Sequence, residues 1–250
     1  MRRTDCLVVG LLLLATTSSV TTYAKTETVA YKSGDETVRS FLALPESRGR
    51  HSALVIIHEW WGLNDWVKQQ AEIFAREGYV SLAVDLYRGR STANPEEAHE
   101  LSRGLPQDRA DRDLRAAFDY LSARIDVDKR KIGSVGWSMG GGLSLQLAIE
   151  EPELAACVVN YGAMPTDKTN IEAIRSPVLG NFGAEDRGID TQDVYVFEKI
   201  MKGENKSVDV KVYAGAGHGF ENPNPRKSFR PEAAVDAQAR VLAFLNRTLK

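Results

Sequence analysis

Apolar and polar residues alternate in two short runs near the start of the chain, VAYKS (29–33) and VRSFLAL (38–44). Gly34 and Asp35 lie between them, so a β-hairpin is expected. ALVIIHE (53–59) is instead a nearly continuous apolar run, the pattern of a strand covered on both faces. Val67, Ala71, Phe74 and Ala75 then follow the i, i+4, i+7, i+8 rhythm of a helix, which Gly78 closes before the strand YVSLAVDLY (79–87). Asn94 caps a second helix that has Pro95 at its first position, and Leu114, Ala117, Phe118 and Leu121 form the stripe of a third. The alternation continues with KIGSVGW (131–137) as strand and MGGGLSLQLAIEE (139–151) as helix. AACVVNYG (155–162) is the next strand, with a short helical stretch near Ile171. PVLGNFG (177–183) and VDVKVYAG (208–215) are strands around the helix DVYVFEKIMKG (193–203), and Ala234, Ala237, Val241 and Phe244 mark a final helix. Strands alternating with helices in this way predict a mostly parallel central sheet with helices on both faces. Residues 25–250 show no internal repeat, low-complexity tract or linker and read as a single domain, large enough to bury a sizeable core.

The first 24 residues break the pattern. Arg2 and Arg3 precede a short apolar run, Leu7 to Ala15, then small polar residues and TYA before Lys25. This is the form of a secretory signal peptide, with cleavage expected after Ala24. The run is shorter than the ~20 residues that span a bilayer, so no stable membrane span is expected after cleavage. The protein is expected to be exported, to the periplasm or outside the cell. Removing Arg2, Arg3 and Asp5 leaves 30 basic and 33 acidic residues, with none of the basic excess of a nucleic-acid surface. Cys157 is the one cysteine of the mature chain, so no internal disulfide can staple it and the fold must stand on its core. A monomer is the expected state.

In KIGSVGWSMGGG (131–142) a strand runs into glycines around Ser138, and Gly136 to Gly140 reads G-x-S-x-G. A tight strand-to-helix turn lifts such a hydroxyl out of the backbone, and the helix N-terminus behind it favours developing negative charge. A phosphate-cradling loop would want Lys then Ser or Thr after the last glycine, where Leu143 stands. A serine needs a base, and His218 in YAGAGHGFEN (213–222) follows the last strand between glycines. Asp186, right after the strand ending in GNFGAE, is placed to orient that imidazole; Glu185 and Asp190 are nearby alternatives. The chain order Ser138, Asp186, His218 is that of α/β-hydrolases. HEWWG (58–62) ends the first long apolar strand. Gly62 stands where a zinc-binding H-E-x-x-H needs its second histidine, so His58 reads as a strand-end residue and no metal is expected. The backbone N–H groups of Trp60 and Met139 are the expected oxyanion donors. All four tryptophans, 60, 61, 66 and 137, fall in or beside these two motifs. One or two are expected in the wall of the site, with Trp61 and Trp137 the candidates, and the rest in the core.

VIIHEWWGLN, VDLYRGR, GWSMGG, GAEDRG and GAGHGF, in that order, make the chain resemble the dienelactone hydrolase family of α/β-hydrolases over nearly all of residues 25–250. The resemblance implies an α/β-hydrolase fold without a large cap domain. It implies Ser138, Asp186 and His218 as the triad, with Glu59 as an additional polar residue near the nucleophile. Two positions depart from the family's best-known members. These carry cysteine in a G-x-C-x-G pattern where Ser138 stands here, and an arginine shortly after His-x-Phe where Glu221 and Asn222 stand. The family's other substrate-binding arginine, after DLY, is expected to be Arg88 or Arg90, which implies a modest preference for acidic esters.

The expected activity is hydrolysis of a small ester or lactone, carboxymethylenebutenolidase-like, through an acyl-enzyme, without metal or organic cofactor. A peptidase of the same fold would carry an extra domain or a long insert. Only residues 163–176 separate Gly162 from Pro177, where a cap is often inserted. A carrier that keeps the fold without catalysis would need no ordered Ser–Asp–His set.

Overall fold

The computed structural model describes residues 24–224 and 226–250; the signal-like residues before Ala24 lie outside this range. Two antiparallel strands, β1 (Lys25–Ser33) and β2 (Glu36–Leu44), form the hairpin read from their alternation. The remaining strands are β3 (His51–Ile57), β4 (Val80–Val84), β5 (Val127–Trp137), β6 (Ala156–Asn160), β7 (Val178–Gly183) and β8 (Val208–Tyr213). Among the described residues they make one eight-stranded sheet in the order β1-β2-β4-β3-β5-β6-β7-β8, antiparallel up to the β2/β4 pair and parallel from β4 onward.

Among the described residues there are seven helices: α1 (Asp65–Arg76), α2 (Pro95–Arg103), α3 (Gln107–Ser122), α4 (Met139–Glu150), α5 (Lys168–Ala173) and α6 (Thr191–Gly203) lie between strands, and α7 (Pro231–Leu249) follows β8. Period two along a strand divides the core. In β3, Ala53, Val55 and Ile57 face the side covered by α3, α4 and α6, while Leu54 and Ile56 face α1 and α7. That double burial is why this strand has no polar alternation. Local caps fix the helix starts. Asn64 accepts from the Val67 amide at 3.2 Å, and Asn94 accepts from Glu96 at 2.8 Å ahead of Pro95.

Because β3 to β8 all run parallel, their carboxyl ends gather along one edge of the sheet. Cys157 lies on central β6, fully buried; burial pushes its thiol up to about 11.

Candidate active site

Ser138 stands between β5 and α4 with φ 54° and ψ −119°, a left-handed backbone that side-chain-bearing residues rarely adopt. Close packing holds it there. A Cβ on Gly140 would lie 2.3 Å from the Ile57 carbonyl oxygen and 2.5 Å from that of His58. Only glycine lets α4 begin so near the end of β3. The Ser138 amide donates to Asn160 O at 2.9 Å, and the Gly141 and Gly142 amides return to Ser138 O. The side chain makes no helix-capping bond, which leaves the hydroxyl for other partners.

Its partner is the imidazole expected from sequence. Ser138 Oγ lies 2.7 Å from His218 Nε2, and His218 Nδ1 lies 2.8 Å from Asp186 Oδ2. Asp186 Oδ1 accepts the Gly188 and Ile189 amides at 2.8 and 3.1 Å. Burial works against the ionised form of Asp186, but hydrogen bonds from His218 and these two amides outweigh it and hold the carboxyl below its ordinary value. Of the two rival carboxylates, Asp190 caps α6 through Gln192 N, and Glu185 docks its own amide on Ala216 O.

The Ser138 hydroxyl opens into a cleft of about 530 Å³ walled by Trp60, Trp61 and Met139, with Ser102 and Ser228 also in its lining. Trp60 and Trp61 pack edge to face, 4.8 Å between ring centroids. Their loop is tied down by a Thr92 N to Trp61 O bond and by a bridge between Gly62 and Ser91. Among the described residues, the turn and cap hydrogen bonds engage neither the Trp60 nor the Met139 amide. A second cleft of about 700 Å³ shares Trp61 and is lined by Asn64, Ser91 and Asn224 among others.

His58 is the strand-end residue anticipated. It is fully buried, its Nε2 accepts the Leu86 amide at 3.3 Å, and its Nδ1 donates to Glu59 O at 2.6 Å. Glu59 is also buried. The hydroxyl of Tyr161 donates to its Oε1 at 3.3 Å and the amide of Asn222 to its Oε2 at 2.5 Å, so its carboxyl bonds these two groups rather than Ser138. Desolvation raises it to about 7, against those bonds and the nearby His218.

Three expectations are corrected. Arg88 does not reach the cleft: it pairs bidentately with buried Asp113 at 2.7 and 3.1 Å and with Glu36, on the hairpin and α3 side. Arg90 points outward and pairs with Glu97 at 3.6 Å. Trp137 is core rather than wall, 1% exposed, packed edge to face on Trp66 and donating from Nε1 to Glu221 at 3.1 Å. Trp60 and Trp61 are thus the tryptophans lining the cleft that holds Ser138, and no Lys or Arg lines it among the described residues. Tyr161 escaped the sequence reading. It follows β6 with φ 39°, and its buried ring meets His218 edge to face at 5.4 Å. No local pattern marks it, because its role depends on where the neighbouring strands end.

The Dienelactone hydrolase family profile matches residues 38–249. A protein of Saccharolobus solfataricus named "Putative carboxymethylenebutenolidase" is 33% identical over 89% of this chain and 98% of its own. A Bradyrhizobium protein named "Probable 2-oxo-3-(5-oxofuran-2-ylidene)propanoate lactonase" is 29% identical, over 88% of this chain and 95% of its own. Among solved structures, a dienelactone hydrolase-like promiscuous phosphotriesterase from metagenomic libraries superposes with a TM-score of 0.84. It is 22% identical and covers 92% of this chain and 100% of its own, a likeness of fold. The chain belongs to the dienelactone hydrolase family.

Proposed function

We propose that this protein is an exported serine hydrolase of small, uncharged carboxylic esters or lactones. The observation that carries this reading is the continuous hydrogen-bonded chain Asp186–His218–Ser138 at the floor of an open cleft. His218 Nε2 accepts the Ser138 proton as Oγ attacks the carbonyl carbon. The Trp60 and Met139 amides hold the oxyanion. Asp186 stabilises the imidazolium, which then passes its proton to the departing alkoxide. Water, deprotonated by the same imidazole, releases the acid and restores Ser138. In a lactone the departing alkoxide stays tethered to the acyl group, so a single hydroxy-acid leaves.

The acyl chemistry is suggested by the names of the Saccharolobus and Bradyrhizobium relatives. The uncharged substrate follows from Arg88 and Arg90, both paired with carboxylates of the protein, and from a cleft lined by indole, thioether, hydroxyl and imidazole groups and by Glu59, with no Lys or Arg among its described residues to meet an anion. Export rests on the leader-like residues 1–24 and on β1 beginning at Lys25, where cleavage is expected. No helix among the described residues is long and apolar enough to cross a membrane.

A fluorophosphonate probe followed by an ester and lactone panel of graded size and charge tests the reading. Labelling confined to Ser138, with neutral substrates turned over faster than anionic ones, is expected. Folded protein that takes up no label would make it a carrier instead.

A further inference from the structure

Glu221 has a costly location that the proposed chemistry leaves unused. It is a carboxyl 8% exposed, three residues beyond His218. Its Oε2 accepts the indole N–H of Trp137 at 3.1 Å. Its Oε1 is buried without a hydrogen-bond partner among the described residues. An apolar side chain of similar shape would avoid that desolvation.

What the carboxyl reaches is informative. Trp137 is the last residue of β5 and the immediate neighbour of Ser138. Glu221 belongs to the loop after β8 that carries His218. The Trp137–Glu221 bond therefore joins the serine's strand to the histidine's loop inside the core. It has two companions. Asn222 bonds Glu59, the residue before Trp60, and Tyr161 packs on both His218 and Phe220 at 5.4 and 5.5 Å. Residues 218–222 are thus tied to the ends of β5, β3 and β6. Of these ties, the one through Glu221 runs to the residue beside Ser138.

We propose that Glu221 is a positioning residue, which through Trp137 holds the Ser138 turn in register with the His218 loop. The proposal rests on the serine-hydrolase reading above. Ser138 occupies a strained turn, so small shifts of Trp137 pass directly to Oγ. A displacement of an ångström at a reacting atom costs ~10²-fold in rate.

The test compares Glu221→Gln, Glu221→Leu, Trp137→Phe and the Leu/Phe double variant, each checked for folding by circular dichroism. The readouts are kcat, KM and the fluorophosphonate labelling rate. Glu221→Leu and Trp137→Phe are expected to lower kcat and labelling by ~10–10²-fold with KM little changed. The double variant should be no worse than the poorer single one, because both remove one tie. Glu221→Gln keeps a carbonyl acceptor for the indole and should recover most of what Leu loses. A folded Glu221→Leu protein with wild-type kcat, losses confined to KM, or multiplying losses in the double variant would overturn the proposal. Should Glu221→Leu fail to fold, wild-type kcat in Trp137→Phe overturns it equally. A wild-type protein that takes no label refutes the serine-hydrolase reading itself, a result distinct from all of these.

Discussion

Ser138 combines a left-handed backbone with a hydroxyl 2.7 Å from an imidazole, and the two facts belong together. The turn costs conformational energy that surrounding packing must supply, and in return the hydroxyl projects clear of the sheet edge. Replacing Ser138 or His218 with alanine is expected to lower kcat by up to ~10⁶-fold in proteins that remain folded. Asp186→Asn is expected to cost less, because the imidazole keeps its position but loses its countercharge. Steady-state kinetics on purified variants check both. Glu59 lies one residue before a proposed oxyanion donor and is bonded to Tyr161 and Asn222. Glu59→Gln keeps the side-chain shape and much of this bonding, so it should retain most activity, whereas Glu59→Ala should lose more. A Gln variant as inactive as Ser138→Ala would give the carboxyl a part in proton transfer. Arg88 yields a different expectation. Removing it strands Asp113, whose side chain is fully buried, so Arg88→Ala should destabilise the fold by ~3–5 kcal/mol. Urea melts would show that loss, while the ratio of kcat/KM for acidic and neutral esters stays unchanged.

At the scale of elements, the β3, β5 and α4 junction decides whether a site exists. Gly140→Ala would drive a methyl group into the Ile57 and His58 carbonyls. The expected outcome is a less stable protein with loss of labelling at Ser138, read by thermal melts and probe uptake. This junction was legible in the sequence, because an apolar strand, a glycine-flanked serine and an apolar helix carry their own periodicities. So was the helix start at Asn94, whose cap is local. The meeting of Ser138, Asp186 and His218 was legible for a similar reason: each residue follows a strand, and chain order ranks them. What lay beyond reach was side-chain direction across elements. Arg88 follows β4 as a pocket arginine would, yet Asp113 on α3 and Glu36 of the hairpin capture it. Trp137 adjoins the serine, yet strand alternation turns it toward α1 and Trp66. Tyr161, Glu221 and Asn222 meet through contacts between residues far apart in sequence, which no window along the chain contains.

For the whole molecule, buried ionisable groups set the pH response. Burial raises Glu59 to about 7 and Glu221 to about 8, both above the ordinary 4.5 of an unfolded chain. The folded state therefore holds more protons than the unfolded one across that interval, and stability falls as pH rises through it. Burial lowers His58, which acts in the opposite sense and costs stability only as pH falls below 6.5. Between pH 6.5 and about 8 the two carboxyls therefore act without that opposition. Chemical denaturation should show declining stability there, and Glu221→Gln should flatten the slope. The leader reading is checked by the mass of the exported protein, expected to begin near Lys25; a mass starting at Met1 in the soluble envelope fraction would refute it.

Cys157 gives this molecule a built-in clock. Its thiol is buried between the sheet and α4, where it meets Ser144, on the strand beside the one that leads to the serine, and it is the one free cysteine among the described residues. A thiol reagent can reach it only when α4 lifts from the sheet or the strands themselves part. The speed of its modification in native buffer thus times the opening of the scaffold around Ser138, without a denaturant, an engineered label or a substrate.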